Sequence, residues 1–370
     1  MSRSVGHSEL LGRRARVGDW ATLARSTWDA IRRAIDRRDA DDACALVTQA
    51  IDEARFHRDT MAQWRADLHA MLVERGADPG DVESLDRRLL ELLATPDSRP
   101  FDVEGRWKGL LAATADLVTL VQRGDWEQAH EAVAVCRELW RTHSDRDVDW
   151  CSGLLNELVE RHGEEVVPDI WERVLRPLFD TRYGRFDVDR APWGESILPA
   201  LLMLALESMS SYLSTPNRDG QPLVLEEHDD RWVVRFDPCG SGGRSMRGEP
   251  LDDAPSRREP PFGFKVIEGA HAWTDGKAGV CVYCNHCQVV SEHWPIDRFG
   301  YPLRVVEPPT YAGEHDGEDR QTCSWTMYKD PALVPDEIYQ RCGRTRPELL
   351  GSEAVAHGHR ASADRERGDA

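Results

Sequence analysis

The sequence predicts an α+β protein in which an N-terminal helical bundle is followed by a cysteine-rich, mixed α/β metal-binding module. Three observations lead to this fold class. Up to about Asn217, apolar residues recur at spacings of three and four, which indicates helices. Beyond that residue apolar and polar residues alternate, as they do in strands. Within this second part the stretch VCVYCNHC at 280–287 places a cysteine at every third position.

The pattern divides the chain into four segments. These are a flexible N-terminus at 1–18, a helical domain at 19–217, a cysteine-rich module at 218–350 and a disordered tail at 351–370. The tail carries almost no bulky apolar side chains, which leaves it without the means to form a core.

The composition narrows the class of protein. At 370 residues the chain is long enough for two ordinary domains, and its net charge of -19 disfavours binding to nucleic acid or to anionic membranes. No segment approaches the roughly 20 apolar residues of a membrane span, and the polar N-terminus lacks the apolar core of a secretory signal. We therefore expect a cytoplasmic protein whose nine cysteines are free thiols or metal ligands rather than disulfides.

The helical half contains an internal repeat. Residues 39–75 and 125–161 align without gaps at a constant offset of 86, with twelve identical positions. In the first copy these positions are Asp39, Ala43, Val47, Arg55, His57, Asp59, Trp64, Leu68, Leu72, Val73, Glu74 and Arg75. Because an amphipathic helix pair cannot cover its own apolar face, we expect the two copies to stack into a bundle. Such a bundle also offers a surface for a homodimer or a protein partner.

Each copy is predicted to be a pair of helices joined at a corner. The corner sequence is RFHRD in the first copy and RTHSD in the second, and it pairs His57 with Asp59 and His143 with Asp145. We expect the aspartates to cap the second helices and the histidines to bond across the corners, because the motif recurs with its buried tryptophan and leucine row. A metal-binding or acid–base role for the two pairs is the alternative.

The remaining elements follow from periodicity and turn residues. An apolar helix is predicted over Glu195–Ser214, and Asp229 with Asp230 connects the two strands of a β-hairpin. Further strands are predicted near Phe264–Ile267, Gly279–Val282, Leu303–Glu307 and Cys323–Tyr328, and short helices near Gln288–His293 and Asp336–Arg341. The stretch Gly240–Pro261 is rich in Gly, Ser and Pro and is predicted to be a mobile loop over the site.

The cysteines of the second half indicate a zinc site. A C-x2-C turn presents two sulfurs on one side of a tight knuckle, as a tetrahedral ion needs, and Cys284 with Cys287 forms such a turn. We expect the metal ligands to be Cys239, Cys284, Cys287 and Cys323, with Cys281, His286 and His271 as alternates. If Cys323 is a core thiol, three ligands and a water remain, which is the arrangement of a catalytic zinc ion.

Two other interpretations of the cysteines stay open. The C-x2-C-x2-C spacing also begins the ligand run of an iron–sulfur cluster, although the C-x3-C-P that completes the ferredoxin pattern is missing. The cysteines can also be free thiols, with Cys281 as an ordinary strand residue between Val280 and Val282.

Side chains near the cysteines are candidates for catalysis. His286 lies inside the knuckle and could act as a general base toward metal-bound water, and His271 and His293 lie nearby in the sequence. Arg244 follows Cys239 and could hold the carboxylate or phosphate of a small ligand. Cys239 could alternatively be a nucleophile whose thiol is acidified by Arg244 or by a metal.

Four motifs carry a resemblance to a known family. They are DPCGSGGR at 237–244, YCNHC at 283–287, RVVEPP at 304–309 and CSWTMYKDP at 323–331. In this combination the segment from Arg231 to Gly343 resembles a bacterial family of uncharacterised proteins. A cysteine that opens a late strand, as in CSWTMY, is also similar to the aminothiazoline carboxylate hydrolase and 4-vinyl reductase-like domains. That resemblance implies a small molecule held near a metal or a cysteine.

Together these features predict a cytoplasmic zinc protein that binds or converts a small molecule, which is anionic if Arg244 contacts it. Metal-assisted hydrolysis or thiol chemistry is the expected reaction, and an enzyme of this kind would be a zinc-dependent hydrolase or lyase. The first alternative is a non-catalytic sensor or scaffold with structural zinc and a partner-binding helical surface. The second alternative is an iron–sulfur redox protein.

Overall fold

The chain forms two compact units. Our computed structural model describes residues 4–93, 100–213, 223–248, 256–311 and 322–347. Unit 1 comprises Met1–Gly163, Ala205–Leu223 and Phe236–Lys265, and unit 2 comprises Glu164–Leu204, Val224–Arg235 and Val266–Ala370. Each unit therefore contains segments from both sides of the predicted boundary between 217 and 218.

Side-chain bonds inside each unit account for this exchange of segments. In unit 1, Arg244 bonds to Asp145, which ties the region after Phe236 to the helical half. In unit 2, Trp171 Nε1 donates a 3.0 Å hydrogen bond to Asn285 Oδ1, which ties a segment of the helical half to the cysteine-rich region. A single boundary read from the change in periodicity cannot reveal such long-range bonds.

Unit 1 is built mainly from helices. In order they are α1 (Trp20–Leu23), α2 (Thr27–Asp36), α3 (Ala40–Glu74), α4 (Pro79–Leu92), α5 (Val103–Arg123) and α6 (Trp126–His162). Capping side chains define the starts of α2, α3 and α5, where Ser26, Asp39 and Asp102 each accept the backbone N–H three residues on. Helices α2, α3, α5 and α6 share one hydrophobic core, which includes Trp107 and Trp140.

The two repeat segments are single continuous helices, so the predicted corners are wrong. α3 runs without a break through RFHRD, and α6 through RTHSD. Neither sequence contains a glycine or proline that would end a helix. Buried residues also continue along α3 at spacings of three and four through Ala50, Ala54, His57, Met61 and Trp64. The amphipathic face is therefore unbroken across the position where we expected a turn.

Helices α3 and α6 lie side by side and run in the same direction. His57 Nε2 on α3 lies 3.2 Å from Ser144 Oγ on α6. Eight residues further along α3 and three residues further along α6, Arg65 donates a 2.7 Å hydrogen bond to Asp147 Oδ1. His57 also meets the ring of Trp140, and Arg65 also lies over the ring of Trp150, so the sequence separations of these four contacts stay between 82 and 87, as they do between parallel helices.

Two contacts between α3 and α6 involve positions that the repeat alignment makes equivalent. Arg65 meets Asp147 across a sequence separation of 82, and Met61 meets Cys151 across a separation of 90. These separations lie four residues on either side of the offset of 86 that aligns the two segments. At this offset Asp147 is the counterpart of Met61, and Cys151 is the counterpart of Arg65. Each residue of α3 therefore contacts the counterpart of the other one, as an approximate two-fold relation would require.

A β-hairpin precedes the helices, where the sequence predicts a flexible N-terminus. β1 (Val5–Ser8) pairs antiparallel with β2 (Arg13–Arg16). Ala15 is buried, and Ser4 donates hydrogen bonds to Asp42 of α3 from both its backbone N–H and its hydroxyl, at 2.8 and 2.7 Å. Strand pairing and these bonds order the described part of 1–18, which corrects the prediction there.

Beyond α6 the chain continues through short elements. The helices are α7 (Val167–Val174), α8 (Arg176–Leu178), α9 (Leu198–Leu206), α10 (Gly242–Arg247), α11 (Asn285–Gln288), α12 (Trp294–Phe299) and α13 (Asp336–Arg341). The strands are β3 (Val224–Glu227), β4 (Arg231–Phe236), β5 (Val266–Ile267), β6 (Val280–Cys281), β7 (Val305–Glu307) and β8 (Cys323–Tyr328). π-helical turns occur at Phe179–Tyr183, Trp193–Ile197, Glu207–Tyr212 and Val289–His293, and 3₁₀ turns at Glu164–Val166, Ala272–Thr274 and Pro331–Leu333.

The strands of this region form small sheets. One sheet has four strands in the order β3, β4, β8 and β7, and β5 pairs with β6. The β3–β4, β5–β6 and β7–β8 pairs are antiparallel. None of the helices in the described part of the chain combines the length and the apolar character that crossing a membrane requires.

Most of the predicted short elements are confirmed. β8 and α13 have the predicted bounds, and β3 and β4 form the predicted hairpin around a turn at 228–230. The strands β5, β6 and β7 each lie within their predicted range. Helical structure from Trp193 through Tyr212, with α9 in its middle, confirms the apolar helix predicted there.

The segment Gly240–Pro261 is only partly a loop. α10 lies within it, and the backbone N–H of Arg244 donates a 3.0 Å hydrogen bond to the Cys239 carbonyl just before this helix. The loop prediction is therefore corrected for α10, because a hydrogen-bonded helix replaces irregular backbone there. Residues 249–255 lie outside the described part of the chain, as does the predicted tail at 351–370.

Candidate metal centre

Three side chains from separate segments of unit 2 meet in its interior. Asp275 follows the 3₁₀ turn Ala272–Thr274 with a left-handed φ of 57°. His293 ends the π-helical turn before α12, and Cys342 follows the last residue of α13. The exposed fractions of Asp275, His293 and Cys342 are 7%, 4% and 1%. A carboxylate, an imidazole and a thiol thus share one buried position.

This buried group could hold a metal ion. His293 Nε2 lies 3.0 Å from Asp275 Oδ1, and Cys342 Sγ lies 3.3 Å from the same oxygen. One ligand atom from each residue lies within 4.8 Å of the other two. Nitrogen, oxygen and sulfur are the donor types that zinc takes in proteins.

Asp275 is the ionised member of the group. Burial opposes its charge, but the hydrogen bonds from His293 and Gln288 and the charge of Arg341 together lower the pKa of its carboxyl to about 2. Gln288 Nε2 donates to its second oxygen, and Arg341 Nε lies 3.9 Å from that oxygen. A carboxylate at this position is therefore ready to bind a cation at neutral pH.

Cys342 is the protonated member of the group. Burial raises the pKa of its thiol, and the neighbouring carboxylates of Glu292 and Asp275 raise it further. Its thiol donates to Asp275 Oδ1. The sulfur becomes a strong ligand only when a metal replaces this proton.

An ion network joins two of the contributing segments. Glu292 is fully buried and accepts hydrogen bonds from Val306 N–H at 2.7 Å and from Arg341 at 2.8 Å. Burial raises the pKa of Glu292 to about 8, against the opposing charge of Arg341. Arg341 also contacts Glu307. The network links the end of α13, next to Cys342, to the π-helical turn that ends in His293.

The hydrogen bonds of His293 define its tautomer. Arg344 NH1 lies 3.0 Å from His293 Nδ1, and a guanidinium group can only donate. Nδ1 therefore accepts with its lone pair, and the ring proton is on Nε2, where Asp275 accepts it. Asp297 holds Arg344 in place with two hydrogen bonds of 2.7 and 2.6 Å.

The predicted cysteine knuckle also lies in unit 2, where it runs from the last residue of β6 into α11. Burial opposes ionisation of Cys281, but hydrogen bonds from the Cys284 thiol and from the amides of Cys284 and Tyr283 lower the pKa of its thiol. His286 Nδ1 donates to the Tyr283 carbonyl at 2.6 Å, which turns the Nε2 lone pair toward Cys287 Sγ at 3.3 Å. Burial lowers the pKa of His286 to about 4 and raises that of Cys287 to about 11.

The remaining two predicted thiol ligands lie in different units. Cys239 is in unit 1, where its Sγ accepts the backbone N–H of Gly243 at 3.2 Å. Cys323 opens β8 in unit 2 and is buried. The four-cysteine site therefore stays a prediction.

Arg244, predicted to hold an anionic ligand, is a structural tie in unit 1. Its guanidinium donates to Asp145 Oδ1 at 2.5 and 3.1 Å and to the carbonyls of Leu213 and Gly240. The residue is buried. Asp145 therefore already neutralises the charge that we expected a ligand to use.

His271, an alternate ligand in our prediction, is held by acidic neighbours in unit 2. Its Nε2 lies 2.7 Å from Glu164 and its Nδ1 lies 3.5 Å from Glu165. The ring also stacks on Trp273 with centroids 4.5 Å apart. These contacts engage both ring nitrogens.

The paired histidines of the repeat lie in the middle of α3 and α6. His143 stacks on Trp140 with ring centroids 5.5 Å apart, and burial lowers the pKa of His57 to about 4. Asp59 is exposed, and Asp145 pairs with the arginine of α10. Neither aspartate caps a helix, because no helix begins at its position.

Sequence spacing alone does not reveal two members of the buried group. Asp275 and Cys342 are 67 residues apart and belong to no regular histidine or cysteine pattern. His293 carries a weak signal, since Glu292 and His293 lie between the apolar residues Val290 and Trp294 at a predicted helix. Charged residues in a buried helix need partners, and this requirement indicates a buried polar cluster around His293.

Comparison with protein family models, curated proteins and solved structures finds no match for this chain. Its function is therefore inferred from its own residues.

Proposed function

We propose that this protein is a zinc-binding protein in which Asp275, His293 and Cys342 hold the ion within unit 2. The observation that carries the proposal is the convergence of three different ligand types within 4.8 Å. An N, O and S donor set suits zinc, which has no geometric preference of its own and accepts all three donors.

The burial of the group supports a structural role for the ion. Each of the three side chains is more than nine-tenths buried. A catalytic zinc ion keeps one position open to water or substrate, whereas a structural ion is enclosed by protein ligands. The group supplies three protein ligands, one fewer than a closed structural zinc site has, so its burial is the single observation that favours the scaffold or sensor alternative over conversion of a small molecule.

Such an ion would fasten three segments that are far apart in the sequence. Asp275 follows a 3₁₀ turn, His293 precedes α12, and Cys342 follows α13. Because an unfolded chain does not present the three ligands together, the free energy of metal binding also stabilises the folded unit. Loss of zinc is therefore expected to loosen the end of α13.

The knuckle at 281–287 is a second candidate position for the ion. One observation favours it, namely that His286 donates its Nδ1 proton to a backbone carbonyl, as a histidine that binds metal through Nε2 commonly does. Cys287 Sγ lies beside that Nε2 atom. A metal here would use the cysteines that the sequence pattern first indicated.

Metal analysis of variants decides between the two positions. The full chain would be stripped with a chelator and titrated with cobalt(II), whose bonds to thiolate sulfur give intense absorption, and zinc content would be measured in parallel. We expect one ion per chain in the wild type, loss of the absorption in Cys342→Ser, and retention in Cys284→Ser. The control is Cys136→Ser, a buried thiol of α6 in unit 1.

Other results would overturn the proposal. Loss of the ion in Cys284→Ser with retention in Cys342→Ser would move it to the knuckle. Iron and sulfide in a brown protein would establish a cluster instead of zinc. A chain that binds neither zinc nor cobalt would not be a metal protein of this kind.

A further inference from the structure

Arg304 is a buried cation of unit 2 that meets no carboxylate among the described residues. It is 6% exposed and is the first residue of the RVVEPP motif, just before β7. Its NH2 group donates a 3.2 Å hydrogen bond to the hydroxyl of Tyr183, which is a phenol rather than a carboxylate. Its Nε–H is buried and has no acceptor in the part of the chain that the structure describes. A charged donor removed from water without an acceptor raises the free energy of the folded state.

The other buried arginines of the described residues have the partners that Arg304 lacks. Arg65, Arg141 and Arg244 each donate to a carboxylate, at 2.7, 3.1 and 2.5 Å. Arg16 donates to two backbone carbonyls. The fold therefore satisfies these four guanidinium groups with its own oxygen atoms. An arginine that is equally buried but unpaired is what a site for a negatively charged ligand requires.

Two aromatic rings hold the guanidinium of Arg304 in place. Its Cζ lies 4.3 Å from the ring centroid of Trp325 and 5.8 Å from that of Tyr183. A cation over a ring face is stabilised by the ring without using its in-plane N–H groups. The backbone is fixed as well, since the N–H groups of Leu303 and Arg304 both donate to the Ser291 carbonyl, at 2.9 and 3.3 Å. The donors are therefore positioned before any ligand arrives.

We propose that Arg304 anchors a binding site for a small carboxylate in unit 2. One guanidinium carries one positive charge, so a singly charged anion neutralises it, whereas a dianion would leave a buried negative charge uncompensated. The planar fork of N–H groups also matches the two oxygens of a carboxylate. The inference does not depend on zinc and goes beyond the proposed zinc-binding function.

Titration of the full chain with sodium acetate tests the proposal directly. In protein with ¹⁵N-labelled arginine, the Nε–H resonance of Arg304 can be assigned by its loss in Arg304→Met. We expect this resonance to shift along a saturable curve as acetate is added, while sodium chloride at the same ionic strength controls for screening. Sodium sulfate should shift it less than acetate at equal concentration, because sulfate carries two charges.

Removal of the charge gives an independent measurement. Arg304→Met replaces the guanidinium by an apolar chain, so its melting temperature without acetate should equal or exceed that of the wild type. Acetate should raise the melting temperature of the wild type relative to chloride, but not that of Arg304→Met. Comparison of the two proteins in each salt removes the general effect of salts on stability. The matched control is Arg244→Met, which removes a buried but paired arginine and should melt at a lower temperature in both salts.

Several results would contradict the proposal. Absence of a saturable shift would show that only water binds the Nε–H, and tighter binding of sulfate would exclude a singly charged ligand. Equal losses of melting temperature in Arg304→Met and Arg244→Met would make Arg304 a structural residue. Cys287 is close enough for its charge to interact with that of Arg304. Acetate should bind to Cys287→Ser as to the wild type, and binding in that variant alone would identify the sulfur as the partner of Arg304.

Zinc content measured in parallel separates this inference from the proposed function. Arg304→Met should contain as much zinc as the wild type. A chain that lacks zinc but binds acetate through Arg304 would refute the zinc proposal and leave the anion site standing. A zinc-containing chain in which acetate does not act on Arg304 would have the opposite meaning.

Discussion

Arg65 on α3 and Asp147 on α6 form an ion pair inside the helical unit, with a 2.7 Å hydrogen bond between them. The Asp147 side chain is fully buried and that of Arg65 is 9% exposed. Burial opposes the charge of Asp147, but its contacts with His143 and Arg65 keep the pKa of this carboxyl below its usual value. The pair therefore places a full ionic contact between the two longest helices.

Removal of one partner should be costly. Arg65→Ala leaves a buried carboxylate without its cation, and we expect the free energy of unfolding to fall by about 3–5 kcal/mol. Urea denaturation measures the change. The control is Arg55→Ala, whose partner Asp52 is half exposed and whose loss should cost about 0.5 kcal/mol or less. Equal losses of unfolding free energy in the two variants would show that the buried ion pair stabilises the protein no more than the exposed one.

Glu53 should make the stability of unit 1 depend on pH. Burial, reinforced by the charge of Glu207, raises the pKa of this carboxyl from 4.5 to about 7, although Arg16, Gln49 and Thr27 oppose the shift. The native state therefore binds more protons than the unfolded state between these two values. The contribution is fully present below pH 4.5, decreases as pH rises, and is lost above about pH 7, a change of about 3 kcal/mol.

Comparison of Glu53→Gln with the wild type isolates this contribution. The variant cannot ionise, so its unfolding free energy should decline less than that of the wild type between pH 5 and pH 8. Chemical denaturation at several pH values supplies the curves. Glu131→Gln, at an exposed position of α6, should follow the wild type. Parallel curves for Glu53→Gln and the wild type would rule out the elevated pKa.

The aspartates of α3 provide a test of helix continuity. Asp39 caps the helix by accepting the N–H of Asp42 at 3.0 Å, so Asp39→Ala should cost about 1 kcal/mol. Asp59 is exposed in mid-helix beside Arg58, so Asp59→Ala should change stability by less than about 0.5 kcal/mol. Thermal denaturation of the two variants supplies the comparison. A large loss of stability in Asp59→Ala would contradict a continuous α3 and support the predicted corner, in which Asp59 caps a second helix.

Arg244 should act on local structure rather than on a ligand. Arg244→Ala removes bonds to Asp145 and to two carbonyls, and a loss of roughly 1–3 kcal/mol is expected from the unpaired groups. Hydrogen exchange should accelerate in α10 and at Gly248, whose N–H bonds to the Arg244 carbonyl. Arg235→Ala in β4, where the arginine is exposed and pairs with Glu226, is the control. Unchanged exchange in α10 would contradict the structural role.

Much of the fold could be predicted because local patterns determine it. β8 alternates buried and half-buried residues from Cys323 to Tyr328, and that alternation is visible in the sequence. The bounds of α13 follow from the proline before it and the glycine after Cys342. The continuity of α3 was harder to predict, because RFHRD contains residues that favour caps and turns as well as helices.

The candidate site was less predictable because its ligands meet through tertiary structure. Asp275 is positioned by a left-handed backbone conformation after a 3₁₀ turn, which no spacing rule describes. Cys342 is an isolated cysteine in the sequence, and only the packing of α13 brings it to Asp275. Regular spacing, by contrast, directed attention to Cys284 and Cys287. Periodic motifs are conspicuous whether or not they carry the function.

The contacts Arg65–Asp147 and Met61–Cys151 use different residues on α3 and on α6, so the two helices are not interchangeable. If two copies of the α3 segment associated in the same geometry, Arg65 of each would face Met61 of the other, and both buried cations would lack a counter-ion. Two copies of the α6 segment would bury Asp147 against Cys151 in the same unfavourable way. Only the pairing of α3 with α6 gives one ionic contact, Arg65 with Asp147, and one apolar contact, Met61 with Cys151. Each segment is thus selective for the other and against itself, so a fragment ending at residue 93 should not form a two-fold dimer through α3.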